Sequence, residues 1–146
     1  MLPDFVDIGG LWKVLPSGIH DATLEEAKRG FAHNARRATL FEGFERAYRS
    51  LEGAGCRAVY LDGSYVTAKP YPGDFDACWD PTGVDPSRLD PILLDFAQDR
   101  RQQKLAFGGE LFPSAPGPDG TIPFLMFFSV DRETGRAKGL VRIVTK

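Results

Sequence analysis

Leu61-Asp62-Gly63-Ser64-Tyr65-Val66-Thr67-Ala68-Lys69-Pro70-Tyr71-Pro72-Gly73-Asp74-Phe75-Asp76-Ala77-Cys78-Trp79-Asp80 is the stretch that decides the fold. It reads as the end of one strand, a small-residue turn, a loop, and a second strand that opens on two carboxylates. A strand sends side chains i and i+2 to the same face, so Asp74 and Asp76 point one way and Phe75 the other. Two like charges held together raise each other's proton affinity unless a cation sits between them. A divalent metal is the simplest reason to build such a pair.

Working outward, Arg57 to Asp62 is the first strand, apolar at Ala58, Val59, Tyr60 and Leu61. Ahead of it, Leu40, Phe41, Phe44, Ala47, Tyr48 and Leu51 recur at three- and four-residue steps, which predicts an amphipathic helix from about Ala35 to Glu52. Gly53, Ala54 and Gly55 end it. Thr23-Leu24-Glu25-Glu26 has capping-box form and predicts a short helix starting near Leu24. Residues 1–22 mix Pro and Gly with large apolar groups and read as an arm packed on the domain, residues 23–146 being the domain itself. Downstream, residues 81–104 read as a turn and a helix striped by Leu89, Ile92, Leu93 and Phe96. Leu105 to Phe112 reads as a strand, 113–120 as a loop, Pro123 to Val130 as a buried strand or short helix, and Leu140 to Val144 as the last strand. The fold class is α/β (α+β in stricter schemes), a small mixed sheet packed against two main helices in a single domain.

The 146 residues fit one domain, and such a chain buries roughly 70% of the surface it exposes when unfolded. A net charge of −2 gives no basic footprint, so sequence-specific DNA binding is not expected. The clusters Arg36, Arg37, Arg46, Arg49 and Arg100, Arg101, Lys104 read as solvated helix faces. Cys56 and Cys78 lack metal-binding spacing and read as buried thiols of a reduced, cytoplasmic protein. No stretch resembles a signal peptide or reaches the roughly 20 apolar residues of a membrane span.

The order strand, Gly63-Ser64, spacer, Asp74-Phe75-Asp76-Ala77 resembles the signature of the nucleotidyltransferase superfamily, the fold of DNA polymerase beta. The wider frame is similar to small bacterial proteins built on a minimal nucleotidyltransferase domain; Leu15-Pro16-Ser17-Gly18-Ile19-His20 and Lys138-Gly139-Leu140 carry that part of the likeness. The resemblance implies that Gly63 and Ser64 hold nucleotide phosphates, and that Asp74, Asp76 and a third carboxylate hold Mg²⁺ or Mn²⁺ for in-line transfer. Glu110, in the next expected strand, is the first choice for the third acid; Asp62, Asp80 and Asp131 are weaker ones. Asp62 also departs from the superfamily pattern, which has an apolar residue before the Gly-Ser pair.

Lys69 lies in the loop that would face the phosphates, although a solvated lysine is the commoner case there. His20 and His33 read as structural, with His20 the better candidate for mutation. Trp12, Trp79 and the Phe124, Phe127, Phe128 run read as core or interface. Ser64 has no histidine arranged to make it a hydrolytic nucleophile. Two functions follow as expectations. One is transfer of NMP from an NTP, ATP first, to a hydroxyl of a protein or RNA acceptor in a toxin–antitoxin or defence module. The other is a non-catalytic domain of the same fold acting as an antitoxin-like partner of another protein.

Overall fold

The computed structural model describes residues 2–115, 130–131 and 133–145. The Phe124, Phe127, Phe128 run, the expected element at 123–130 and most of the 113–120 loop lie outside them. Five strands form one mixed sheet: β1 (Ile19–Ala22), β2 (Ala58–Asp62), β3 (Phe75–Trp79), β4 (Gly109–Pro113) and β5 (Leu140–Val144), in the order β1-β5-β2-β3-β4. β2 runs antiparallel to both β3 and β5, while β4 lies parallel to β3 and β1 parallel to β5. Among the described residues three α-helices accompany it: α1 (Leu24–Phe31), α2 (Ala35–Gly53) and α3 (Ala97–Phe107).

Alternation along the strands divides the sheet into two faces. Val59, Leu61, Phe75, Ala77, Trp79, Leu111, Val141 and Ile143 form one core with Phe31, Leu40, Phe41, Phe44 and Leu51 of the helices. The other face carries a smaller cluster of Ala58, Tyr60, Cys78 and Leu140, with Phe112 against it. α1 is closed by the capping box anticipated at Thr23 and Glu26. α2 begins at Asn34, whose side chain accepts from the Arg37 amide. Gly43 of α2 faces the Phe107 carbonyl so closely that a β-carbon would overlap it, which lets α3 cross tight against α2.

Several details depart from the sequence reading. Ile19–Ala22, expected to be a turn and the end of the arm, is an edge strand of the sheet. Of the arm's apolar residues Val14 and Leu15 are buried, whereas Leu11 is 75% and Trp12 42% exposed. The helix expected within 81–104 is instead two 3₁₀ turns, Pro86–Arg88 and Pro91–Leu94, followed by α3. Pro86 is compatible with a first turn, but Pro91 would fall inside a helix begun there, where it lacks the N–H for residue 87 and its ring clashes with that carbonyl. α3 absorbs Leu105–Phe107, and β4 starts only at Gly109, after Gly108 closes the helix in a left-handed conformation. Near its start Gln98, Asp99 and Arg100 also have positive φ, between 50° and 60°, a conformation that costs roughly 1–2 kcal/mol per L-residue.

Arg37, at the N-terminal end of α2, departs from the expectation of a solvated arginine face. Arg37 is fully buried and has no carboxylate partner among the described residues. Its guanidinium donates to Phe31 O at 3.1 Å, Tyr65 O at 2.7 Å, Thr67 O at 2.6 Å and Lys69 O at 2.6 and 3.0 Å. Burial holds its pKa below the ordinary arginine value. Tyr65 returns a hydroxyl bond to Arg37 O at 2.8 Å. Asn34 donates to Pro70 O, and Arg36 to Pro72 O and Gly73 O. Arg36, Arg46 and Arg49 are exposed as expected, Arg49 pairing with Glu45 and Glu52 on the helix surface.

Arg37→Ala leaves four carbonyls without their donor and is expected to cost about 3–5 kcal/mol in urea unfolding. Arg46→Ala, which removes a single exposed bond to Ala106 O, is expected to cost under about 1 kcal/mol. Equal losses would contradict this ranking.

Candidate functional site

The loop from Gly63 to Asp74 is held from two sides. α2 grips its carbonyls as described, and the arm lies against it through Ala68 N–H to Lys13 O at 2.8 Å. Gly63–Val66 forms a short 3₁₀ turn in which Ser64 O accepts from both the amide and the hydroxyl of Thr67. Gly63 has φ +75°, and a β-carbon on it would run into Asp76 Oδ2. The glycine is required twice over, for its backbone conformation and to seat the Asp76 carboxylate.

The sheet register then assembles the acids. Asp62 stands opposite Asp76 in the β2–β3 pair, and Asp76 stands beside Glu110 in the β3–β4 pair. Register partners share a face, so three neighbouring strands present a row of carboxylates on the face opposite the helices. Asp74, two residues before Asp76, is close enough to Glu110 for the two charges to interact. Burial and the Glu110 charge raise the Asp74 pKa, opposed by Lys104, Lys69 and Arg36. Burial first, then Asp76, push the Asp62 pKa far above the usual carboxylate range, with Lys138 opposing. Asp62 is 1% exposed and neither of its oxygens has a hydrogen-bond partner.

Glu110 is held by cations that the sequence reading assigned to a solvated helix face. Lys104 Nζ lies 2.9 Å and Arg100 Nη2 3.5 Å from Glu110 Oε1, and both also reach Asp99. The Arg100 guanidinium carbon sits 4.4 Å from the Phe112 ring centre. Asp74 lines a cleft of about 410 Å³ that also receives Arg36, Arg46 and Lys104. No motif announced this grouping, because its members come from α2, the loop and α3.

The remaining candidates, Lys69 apart, separate from this site. Lys69 gives its carbonyl to Arg37 and its charge acts on Asp74. His20 is structural: its Nε2 lies 2.6 Å from Pro16 O, and a β-carbon on Gly139 would overlap Pro16 O. The Leu15–His20 and Lys138–Leu140 motifs are thus one interlocking contact, completed by Gly139 N–H to Leu15 O and Leu140 N–H to Gly18 O. Trp79 is core. Cys56 and Cys78 are free buried thiols, and burial pushes Cys56 up to about 11.

Among the described residues no group of three or more His, Cys, Asp or Glu side chains is placed to hold a metal ion. Two carboxylates are nonetheless a sufficient protein share for Mg²⁺, which commonly takes one or two carboxylates and completes its shell with phosphate oxygens and water. The orphaned oxygens of Asp62 and the seat Gly63 leaves for Asp76 fit such an ion.

Fold and site together describe a small mixed α/β domain with a row of carboxylates at one end of its sheet, beside a Gly-Ser turn. The chain belongs to the family of unknown function DUF6932, which matches residues 10–144. No curated protein and no solved structure matches it. No helix among the described residues is long and apolar enough to cross a membrane.

Asp62 makes stability pH-dependent in a calculable direction. With its folded pKa raised, the folded state holds a proton that the unfolded chain releases near the ordinary aspartate value of about 3.9. That contribution is complete at acid pH and is lost as pH rises toward the raised value. Without divalent ions, Asp62→Asn should therefore gain stability over wild type progressively as pH rises above about 4. Urea unfolding at several pH values measures it, and a constant difference would contradict the assignment.

Proposed function

We propose that this domain is a metal-dependent nucleotidyltransferase that moves NMP from an NTP, ATP first, to a hydroxyl of a protein or RNA acceptor, within a toxin–antitoxin or defence module. The observation that carries the reading is the in-register row Asp62, Asp76, Glu110 at the sheet end where Gly63-Ser64 leaves β2. Asp74 and Asp76 would hold Mg²⁺ or Mn²⁺ as the protein's carboxylate share, with substrate oxygens and water completing the shell. The bound cation supplies charge neutralisation of the triphosphate and activation of the attacking hydroxyl.

The chain's own residues supply the rest. Gly63 carries no side chain, so the turn can approach phosphate oxygens, and Ser64 offers a hydroxyl. Lys69 and the cleft cations Arg36, Arg46 and Lys104 counter the charge of phosphate and pyrophosphate. The acceptor oxygen bonds to the α-phosphorus, the bond to the β-phosphate bridge breaks, pyrophosphate leaves and the hydroxyl proton is released.

The Lys104 and Arg100 contacts to Glu110 favour a second reading, a non-catalytic domain of this fold that acts as an antitoxin-like partner. A transfer assay with α-³²P-labelled NTPs separates the two, with the protein itself and total RNA as acceptors. The catalytic reading expects Mg²⁺-dependent labelling that falls at least about 100-fold in Asp74→Ala and in Asp76→Ala. ATP binding without transfer favours the partner role. Labelling that survives the Asp74→Ala/Asp76→Ala double variant shows that these carboxylates are not the site.

A further inference from the structure

We infer that Asp62 is a cation ligand: with Asp76 it forms a two-carboxylate seat for a divalent ion, while Glu110 belongs to a salt-bridge cluster with Lys104 and Arg100. The inference deepens the function proposed above and rests on its metal-dependent reading.

Asp62 is the last residue of β2, on a face whose neighbouring positions are Tyr60, Cys78 and Leu140. It is 1% exposed, and both carboxylate oxygens are buried without a hydrogen-bond partner. Buried carboxylates in folded proteins are paired or hydrogen-bonded, because an uncompensated charge costs several kcal/mol. An apolar residue would fill this position at no such cost. Lys138 acts on Asp62 through space, but among the described residues the two form no ion pair. What Asp62 faces instead is Asp76, its direct partner in the register, with Cβ atoms roughly 4.5–5.5 Å apart in such pairs.

The Asp76 side is built as well. Its carboxylate occupies the space that a β-carbon on Gly63 would take, so it lies against the turn that directly follows Asp62. Hard oxygen donors of like charge suit Mg²⁺ or Mn²⁺, and the remaining coordination positions stay open for substrate oxygens. Glu110 sits in a cluster of cations. Lys104 Nζ at 2.9 Å already neutralises it and Arg100 adds a second cation, so an ion arriving there would first displace an ammonium group. Glu110 thereby becomes the anchor that holds Lys104 at the rim of the Asp74 cleft.

The test is Mn²⁺ binding, titrated by electron paramagnetic resonance of the free ion, on wild type, Asp62→Asn, Asp76→Asn and Glu110→Gln, with no nucleotide present. Thermal melts of the same samples report folding and the stabilisation Mn²⁺ confers. The expected result is at least about tenfold weaker binding in Asp62→Asn and in Asp76→Asn, and affinity within about twofold of wild type in Glu110→Gln. Asp62→Asn should melt no lower than wild type without metal and lose the upward shift that Mn²⁺ gives the wild type. Wild-type affinity retained in Asp62→Asn overturns this inference and leaves the metal-dependent reading standing. A loss confined to Glu110→Gln overturns it in favour of the Glu110 ligand set. Absence of Mn²⁺ binding by the wild type overturns both.

Discussion

A buried guanidinium with no carboxylate partner among the described residues organises this domain. Arg37 uses all five of its N–H donors on four carbonyls, three of them in the segment between Tyr65 and Lys69. Carbonyl dipoles replace the water that Arg37 gives up, and its own helix position is fixed by Asn34 and by the Tyr65 hydroxyl. Asn34 and Arg36 extend the grip to Pro70, Pro72 and Gly73. A loop rich in Pro and Gly, with almost no regular structure of its own, is thereby led along one path from the end of β2 to the start of β3. That path sets which β3 residue stands opposite Asp62.

Register is where packing becomes chemistry. A slip of one residue in a strand moves every side chain to the other face, and would bury Asp76 among the phenylalanines of the helix-side core. With the loop pinned, Phe75 enters that core beside Phe44 and Asp76 meets Asp62 on the opposite face. Gly109 serves the same purpose on the next strand, since a β-carbon there would overlap the Phe75 carbonyl. The carboxylate row is therefore costly in electrostatic terms and is maintained by contacts made elsewhere, a pattern typical of functional sites.

Much of this was legible in the residues. The period of Leu40, Phe41, Phe44, Tyr48 and Leu51 announced α2, the Thr23–Glu26 pair announced α1, and the two strands about Gly63–Asp76 follow from alternation and turn chemistry. What could not be read is long-range. Nothing local distinguishes Arg37, which is buried, from Arg49, which is solvated; only the loop carbonyls that meet it make the difference. The same holds for Arg100 and Lys104, drawn to Glu110 by the turn at Gly108. Asp62 was visible as an acid in a place that favours an apolar residue, yet its partner became apparent only with the strand register. The segment 85–107 departs from the helix that its apolar spacing suggests because Pro91 would interrupt a helix begun at Pro86, so α3 starts only at Ala97.

The central claim is that Asp62 and Asp76 face one another to share a divalent cation. Crystals grown with Mn²⁺ and a non-hydrolysable NTP analogue test it through the anomalous signal of manganese. The expected result is a peak bonded to a carboxylate oxygen of each of Asp62 and Asp76, with the Lys104–Glu110 contact intact. A peak on Glu110 with Lys104 displaced, or nucleotide density with no metal between the two aspartates, would contradict it.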